Sequence, residues 1–271
     1  MLDIDYQPAQ GSVTLQNAYK VYVPPPPLSH WIHSFWQLDV PFGEHFYRSM
    51  PDNCVDWIIN VGDIDDNVIV SPFLSSIEFP LSGPVSYFGV RFRVLANQGL
   101  IPHPIGEWDA VTPDTRSLEL VSPSVFMEVF EGLQRTTSFS ERCKYVGTAL
   151  LREVKSPSVD RRLVSFIRYC LHNTESVIQL SDKQCAEFGV SARQLRRLTQ
   201  LHLGMSPKSF SSVLRFQKTV KQLTQENQGA SSWAAHYYDQ SHFIREFKRF
   251  SGLTPQEFKR MSVLYNRQNR R

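Results

Sequence analysis

The sequence predicts a two-domain α+β protein: a strand-rich first half closed by helices, then an all-helical second half. Three observations carry that expectation. Near Ser122 the apolar period changes from two to about 3.6 residues, the change from pleated strand to helix. Formal charge divides along the chain: residues 1–157 hold 10 Lys and Arg against 18 Asp and Glu, residues 158–271 hold 19 against 8, a balance of −8 followed by +11. Within the basic half the chain repeats itself at an offset of 48 residues. With 271 residues, 41% of them apolar, each half has the material for its own core.

The opening MLDIDYQPAQ is acidic and lacks the basic-then-apolar order of a signal peptide. No apolar run approaches the roughly 18 residues of a membrane span, so a cytoplasmic protein without membrane contact is expected. VPPPPL at 23–28 reads as extended polyproline, a rigid lead-in to LSHWIHSFWQLDV in preference to a ligand for a proline-binding partner. NCVDWIINVGD and NVIVSPF are short apolar runs ending in turn residues, as in a compact sheet or barrel. In YFGVRFRVL, Phe88, Val90, Phe92 and Val94 alternate with Arg91 and Arg93, the period of a half-buried strand. The two arginines share a face that either meets solvent or, with Asp52 and Asp56, lines an effector pocket. His30, His33 and His45 have no Glu at a spacing that completes a metal set, and read as structural or surface residues. Cys54, Cys143, Cys170 and Cys185 stand far apart with no C-x-x-C, which suits reduced, mostly buried thiols better than a zinc site or a disulfide framework. No metal or cofactor is expected. Nor is an enzyme, since G-x-S-x-G, P-loop and H-E-x-x-H spacings are absent.

SPSVFMEVFEGL and SFSERCKYVGTALLREV bring apolar residues at helical spacing, Val125, Phe126, Val129, Phe130 and Leu133, then Tyr145, Val146 and Leu150. Two helices here close the first domain, and the second, 138–154, is the candidate dimer surface through Tyr145, Val146 and Leu150. KSPSVD at 155–160 is a polar, proline-bearing linker. Beyond it, Leu163, Phe166, Ile167, Cys170 and Leu171 form one helical stripe. Ser181 with Gln184, and Ser191 with Gln194, have capping-box spacing. SDKQCAEFGVSARQLRRLTQLHLG thus reads as helix, turn through Gly189, helix, stop at Gly204: a helix-turn-helix in outline.

The 48-residue offset lays GVSARQLRRLTQLHLGMSPKSF on YYDQSHFIREFKRFSGLTPQEF, matching Gly204 to Gly252, Pro207 to Pro255, Phe210 to Phe258, Arg197 to Arg245 and Leu195 to Phe243. In the first copy Leu195, Leu198, Thr199 and His202 share one helical face, opposite Arg193, Arg197 and Gln200. In the second, Phe243, Phe247 and Phe250 pack and leave Ser241, Arg245 and Lys248 outside. A basic face repeated inside a segment of charge +11 points to double-stranded DNA. Between the copies, Phe210, Val213, Leu214, Gln217 and Val220 predict a connecting helix.

Over 160–262 the sequence resembles the AraC/XylS family of bacterial transcription regulators, and DQSHFIREFKRFSGLTPQEF is similar to that family's signature. The resemblance implies two helix-turn-helix units joined by a long helix, their second helices in successive major grooves. It places base-reading on Arg193, Arg196 and Arg197 in the first unit and on Gln240, Ser241, Ile244 and Arg245 in the second. Arg suits guanine, Gln adenine, and Ile244 a thymine methyl. Lys218, Lys221, Lys248 and Arg249 are placed for phosphates. Thr199 stands where the family's first unit has an aromatic; Ser232 and His236 stand where its second has Ala and the turn Gly. More weakly, PPPPLSHWIHSFWQLD, MPDNCVDWIINVG and SGPVSYFGVRFR resemble the sensor half of one branch, a cupin-like β-barrel followed by helices. The implied organisation is an N-terminal sensor and dimerisation domain at 1–155 and a DNA-binding domain at 158–265 with units at about 181–204 and 230–252. A basic tail at 266–271 follows. Partners on this reading are DNA, a second copy bound through the N-terminal domain, and, left open, a small-molecule effector and RNA polymerase. An enzyme fused to such a module would need a nucleophilic or zinc-bound cysteine set. An adaptor acting through its acidic half is the remaining alternative.

Overall fold

The computed structural model describes residues 4, 6–9, 18–108, 115–116, 120–174, 178, 180–225 and 240–266. The first half is an antiparallel sheet of β1 (Tyr19–Tyr22), β2 (Ile32–Ser49), β3 (Asp56–Asn60), β4 (Asn67–Val70), β5 (Ile77–Phe92) and β6 (Thr115–Arg116), ordered β1-β2-β5-β3-β4-β6. A seventh strand, β7 (Leu264–Tyr265), comes from the far end of the chain and pairs with Phe46 and Tyr47 of β2. The path ends at β1 and β6, and no pairing among the described residues joins them, so the sheet does not close there into the expected barrel. The long β2–β5 ladder is kinked where its register shifts between Val40 and Gly43. At that kink a side chain on Gly83 would sit 1.9 Å from the Pro41 carbonyl oxygen.

Side chains alternate across this sheet as the period of two requires. Phe35, Trp57, Ile59, Ile69, Phe88, Val90 and Phe92 point to one face. There α1 (Pro123–Arg135) and α2 (Phe139–Glu153) cover them with Phe126, Val129, Leu133, Val146 and Leu150. Burying each large aromatic contributes about 1.5–3 kcal/mol, so this layer holds the domain together. It also corrects the dimer surface expected from the sequence: Val146 and Leu150 are fully buried in the domain's own core. The polyproline expectation fails at its end, because Pro27 has helical dihedrals (φ −83°, ψ −13°) and caps a short 3-10 turn at Leu28–His30. Arg91 alternates with its apolar neighbours as expected, but it is buried and faces a cavity on the sheet's other side instead of solvent.

Residues 154–160 carry neither helix nor strand. The second half then runs α3 (Arg161–His172), α4 (Asp182–Glu187), α5 (Ala192–Leu203), α6 (Pro207–Gln225), α7 (Gln240–Ser251) and α8 (Pro255–Lys259). Capping boxes start α4 at Ser181 and α5 at Ser191, as the spacing predicts. Among the described residues no helix is long and apolar enough to cross a membrane. The four cysteines are free and buried. Positions 230–239, which include Ser232 and the His236 turn, lie outside the described residues, as do positions 267–271 of the basic tail.

Two cores organise the helical half. Leu163, Phe166, Ile167, Cys185, Leu195 and Phe210 build the first, and Val213, Phe216, Phe243, Phe247, Phe250 and Phe258 the second. Neither is made by the helical half alone. Val94 and Leu95, from the segment after β5, enter the first core, and Met50, just past β2, enters the second.

Candidate nucleic-acid interface

Helices α5 and α7 are built alike because their sequences repeat. Leu195 and Phe243 occupy matching buried positions, and so do Phe210 and Phe258. Each helix ends on a glycine in the left-handed region, Gly204 at φ +68° and Gly252 at φ +72°, a conformation that costs other residues a clash with their own Cβ. Pro207 and Pro255 then open the next helix at its first position, where no backbone donor is needed. Thr199, in place of the family's aromatic, is wholly buried and donates its hydroxyl to the Arg196 carbonyl at 3.1 Å.

The opposite faces are open. Arg193, Arg196 and Arg197 are exposed on α5, and Gln240, Ser241 and Arg245 on α7. Ile244 is half-buried and packs on the second core. Lys221, Lys248 and Arg249 are exposed and Lys218 is half-buried. The Arg249 guanidinium lies 4.5 Å from the centre of the Phe250 ring and 3.6 Å from Glu246, so its charge is partly engaged. The connector α6, 19 residues and about 28 Å long, buries Phe210, Val213, Leu214, Gln217 and Val220 as its pattern predicts.

Sequence reasoning missed two arginines that set this geometry. Arg215 lies in the buried stripe of α6 and meets both carboxylate oxygens of Glu246 on α7, at 2.6 and 2.8 Å. A charge placed between Leu214 and Phe216 was the signal for it. Arg48 of β2 is bonded to Glu78, which also accepts from the Tyr265 hydroxyl. Its Nη1 donates to the Ser251 carbonyl at 3.0 Å, where the end of α7 presents unsatisfied carbonyls and the negative end of its dipole. Beside it, the Ser76 backbone N–H donates to the Phe250 carbonyl at 2.7 Å. The first unit is held similarly. Gln98 lies 3.0 Å from His202 near the end of α5, and Gly106 approaches so closely that a Cβ there would be 2.6 Å from the Gln200 oxygen. The N-terminal domain therefore grips both helices by their C-terminal ends. It also holds the connector, with Asn53 donating to the Phe210 carbonyl at 3.1 Å and Gln217 to that of Pro51 at 2.6 Å.

The four residues expected at an effector pocket divide three to one. Asp52, Asp56 and Arg91 line a cavity of about 310 Å³ on the sheet face away from α1 and α2. Arg93 does not, and its Nε donates to the Ser29 carbonyl. Asp56 accepts from Arg91 through three contacts of 2.9–3.1 Å and from Trp36 Nε1 at 2.9 Å. The Trp36 ring lies against Gly89, where a Cβ would be 1.9 Å from it. Asp52 reaches Arg91 at 3.1 Å and accepts from the Cys54 N–H. Burial opposes the Arg91 charge, but Asp52 and Asp56 outweigh it and hold the guanidinium's pKa well above its ordinary value. Burial lifts the Asp52 carboxyl above its own, against the pull of Arg91. His33 lies between Ser34 and Gln7, at 3.0 and 2.9 Å, and His45 is 3.4 Å from the Phe42 carbonyl. Among the described residues no group of three or more His, Cys, Asp or Glu is arranged to hold a metal ion.

Paired helices with exposed basic faces, a shared connector and matched stops define a tandem helix-turn-helix DNA-binding module. Residues 184–261 match the family described as "Helix-turn-helix domain", and residues 20–112 match "Domain of unknown function (DUF6597)". The C-terminal half thus carries a helix-turn-helix domain, in the segment whose sequence resembles the AraC/XylS regulators. None of the curated proteins compared matches it in sequence. Among solved structures it is similar to an apo form of a ToxT variant from Vibrio cholerae, with 11% identity over 93% of this chain and 100% of that one and a TM-score of 0.41. It is also similar to wild-type ToxT of Vibrio cholerae with a bound unsaturated fatty acid, with 12% identity over 83% and 89% and a TM-score of 0.39. Likenesses of this size fix neither ligand nor mechanism here.

Proposed function

We propose that this transcription regulator reads DNA through Arg193, Arg196 and Arg197 on α5 and Gln240, Ser241, Ile244 and Arg245 on α7, with Lys218, Lys221, Lys248 and Arg249 on phosphates. One observation carries the proposal: two helices of one repeated unit turn exposed N-terminal halves outward while a second domain holds both C-terminal ends. Base edges in the major groove call for such donor-bearing, solvent-facing residues. Residues 158–265 form the DNA-binding domain on this reading, and residues 1–155 form a cupin-like sensor whose cavity takes an effector. Occupation reaches the DNA through β2, where Tyr47 and Ser49 line the cavity and Arg48 between them holds the end of α7. Dimerisation through the N-terminal domain and contact with RNA polymerase belong to the same proposal.

An unbiased selection of DNA fragments bound by the full chain, with and without metabolite extract, tests it. Enrichment of a motif with two sub-sites about one helical turn apart, shifted in strength by the extract, is the expected outcome. Recovery of fragments without common sequence would overturn the assignment of base-reading residues. Sedimentation showing a monomer at concentrations that saturate the selected site would remove the dimer.

A further inference from the structure

The cavity has a charge pattern that favours one class of ligand. Its walls are largely apolar, with Trp36, Leu38, Ile58 and Val68 along the sheet face. At one end Arg91 is committed to Asp52 and Asp56, so a ligand carboxylate would find two fixed negative charges and no open guanidinium fork. Asp66 also lines the cavity, from the turn between β3 and β4. Its Oδ2 accepts from the Asn60 amide and the Tyr87 hydroxyl, both at 2.8 Å. Its Oδ1 takes no hydrogen bond, and no cation pairs with it, among the described residues. Exposed Asp63 and Asp65 in the same turn add negative potential at that end. Tyr47 and Ser49, on the cavity wall, likewise have hydroxyls without a hydrogen bond among the described residues.

We propose that the cavity binds a small, predominantly apolar amine, its ammonium on Asp66 Oδ1 and its body between Trp36, Leu38 and Ile58. This rests on the effector reading of the cavity and adds the chemistry of the ligand. An ammonium supplies the charge and the donors that Asp66 lacks, whereas an anion meets three carboxylates and a guanidinium already occupied. The apolar walls select against strongly hydrated inorganic cations, since these would have to give up water for surfaces that cannot replace it.

The test titrates the full-length protein with matched probes, 2-phenylethylamine, 3-phenylpropanoate and 2-phenylethanol, following Trp fluorescence and calorimetry. Saturable binding of the amine, at least about tenfold tighter than the carboxylate, is expected from one charge-assisted hydrogen bond in a partly desolvated site. Asp66→Asn keeps the size of the side chain and should cost the amine a similar factor while leaving the alcohol unchanged; Asp66→Glu should recover part of it. Tighter binding of the carboxylate, or equal binding of amine by Asp66→Asn, would overturn the amine assignment and leave the effector cavity standing. Failure of all three probes to bind at millimolar concentration would overturn both. The amine-to-carboxylate ratio of the wild type decides the matter even if the substituted proteins are unstable.

Discussion

Arg215 shows what one residue contributes beyond its place in a pattern. Its guanidinium and the Glu246 carboxylate are 7% and 9% exposed, so removing either partner leaves a charge in a site from which water is excluded. Arg215→Met is expected to destabilise the fold by about 3–5 kcal/mol, whereas Arg215→Met with Glu246→Leu should cost much less, because an apolar pair of similar volume leaves no orphan. Chemical denaturation of the three proteins checks this; equal losses for single and double substitutions would mean that packing, not charge, sets the cost. Arg197 is the converse case, exposed and with no hydrogen bond or ion pair to break among the described residues. Arg197→Ala should weaken specific DNA binding by about 1–3 kcal/mol and relax preference in one half-site, while Lys221→Ala weakens all sequences alike and lowers the salt slope by about 1. Binding to a selected site and to random DNA at several salt concentrations separates the two. Arg197 was legible in the sequence because exposure follows from helical period alone. Arg215 was visible as an anomaly, a charge inside an apolar stripe, but its partner lies 31 positions away and no local rule names it.

At the scale of elements, the turns and stops were the most legible parts. Gly189, Gly204 and Gly252 all have positive φ, and the self-match of the sequence placed the latter two at equivalent helix ends. Their surroundings differ, which gives a comparison. A Cβ on Gly189 would touch Arg162 at an ordinary 3.8 Å, but one on Gly252 would lie 2.8 Å from Arg48 Nη1. Gly189→Ala is therefore expected to cost about 1 kcal/mol of backbone strain, and Gly252→Ala that strain plus the displacement of Arg48 from the end of α7. Equal melting shifts for the two would show that the Arg48 contact adds nothing. The strands were legible as strands, yet their arrangement was not. Alternation says that Phe88 and Arg91 point to opposite faces, but the face that meets helices and the face that closes a cavity depend on partners far along the chain. Val146 and Leu150 were misread for that reason, since a helical stripe reads the same whether it packs on its own domain or on another copy.

The whole molecule forms a frame around the two helices proposed to read DNA. A connector of 19 residues joins the units, but the N-terminal domain also fixes α5 through Gln98 and Gly106, α7 through Arg48 and Ser76, and the chain beyond α8 through β7. Each of these contacts has at least one end outside the repeat that revealed the units, so the sequence showed the parts and not the clamp. If the frame is rigid, the helices enter major grooves on one side of the duplex, one turn or about 10 base pairs apart. Inserting about 5 base pairs between the two sub-sites turns one of them to the far side. Since smooth bending of a short site already costs of order 1–6 kcal/mol, one unit should release before the DNA deforms to follow. Inserting about 10 base pairs restores phase but exceeds the reach of one protomer, so it should not recover binding. The clamp adds a second axis to this experiment. Arg48→Ala frees the end of α7 from β2, which should weaken binding to the natural spacing and flatten the difference among the three spacings. Footprints of wild type and Arg48→Ala on the three sites decide between frame and connector: identical spacing profiles would mean that α6 alone sets the geometry and that the N-terminal domain rests on the DNA-binding helices without aligning them.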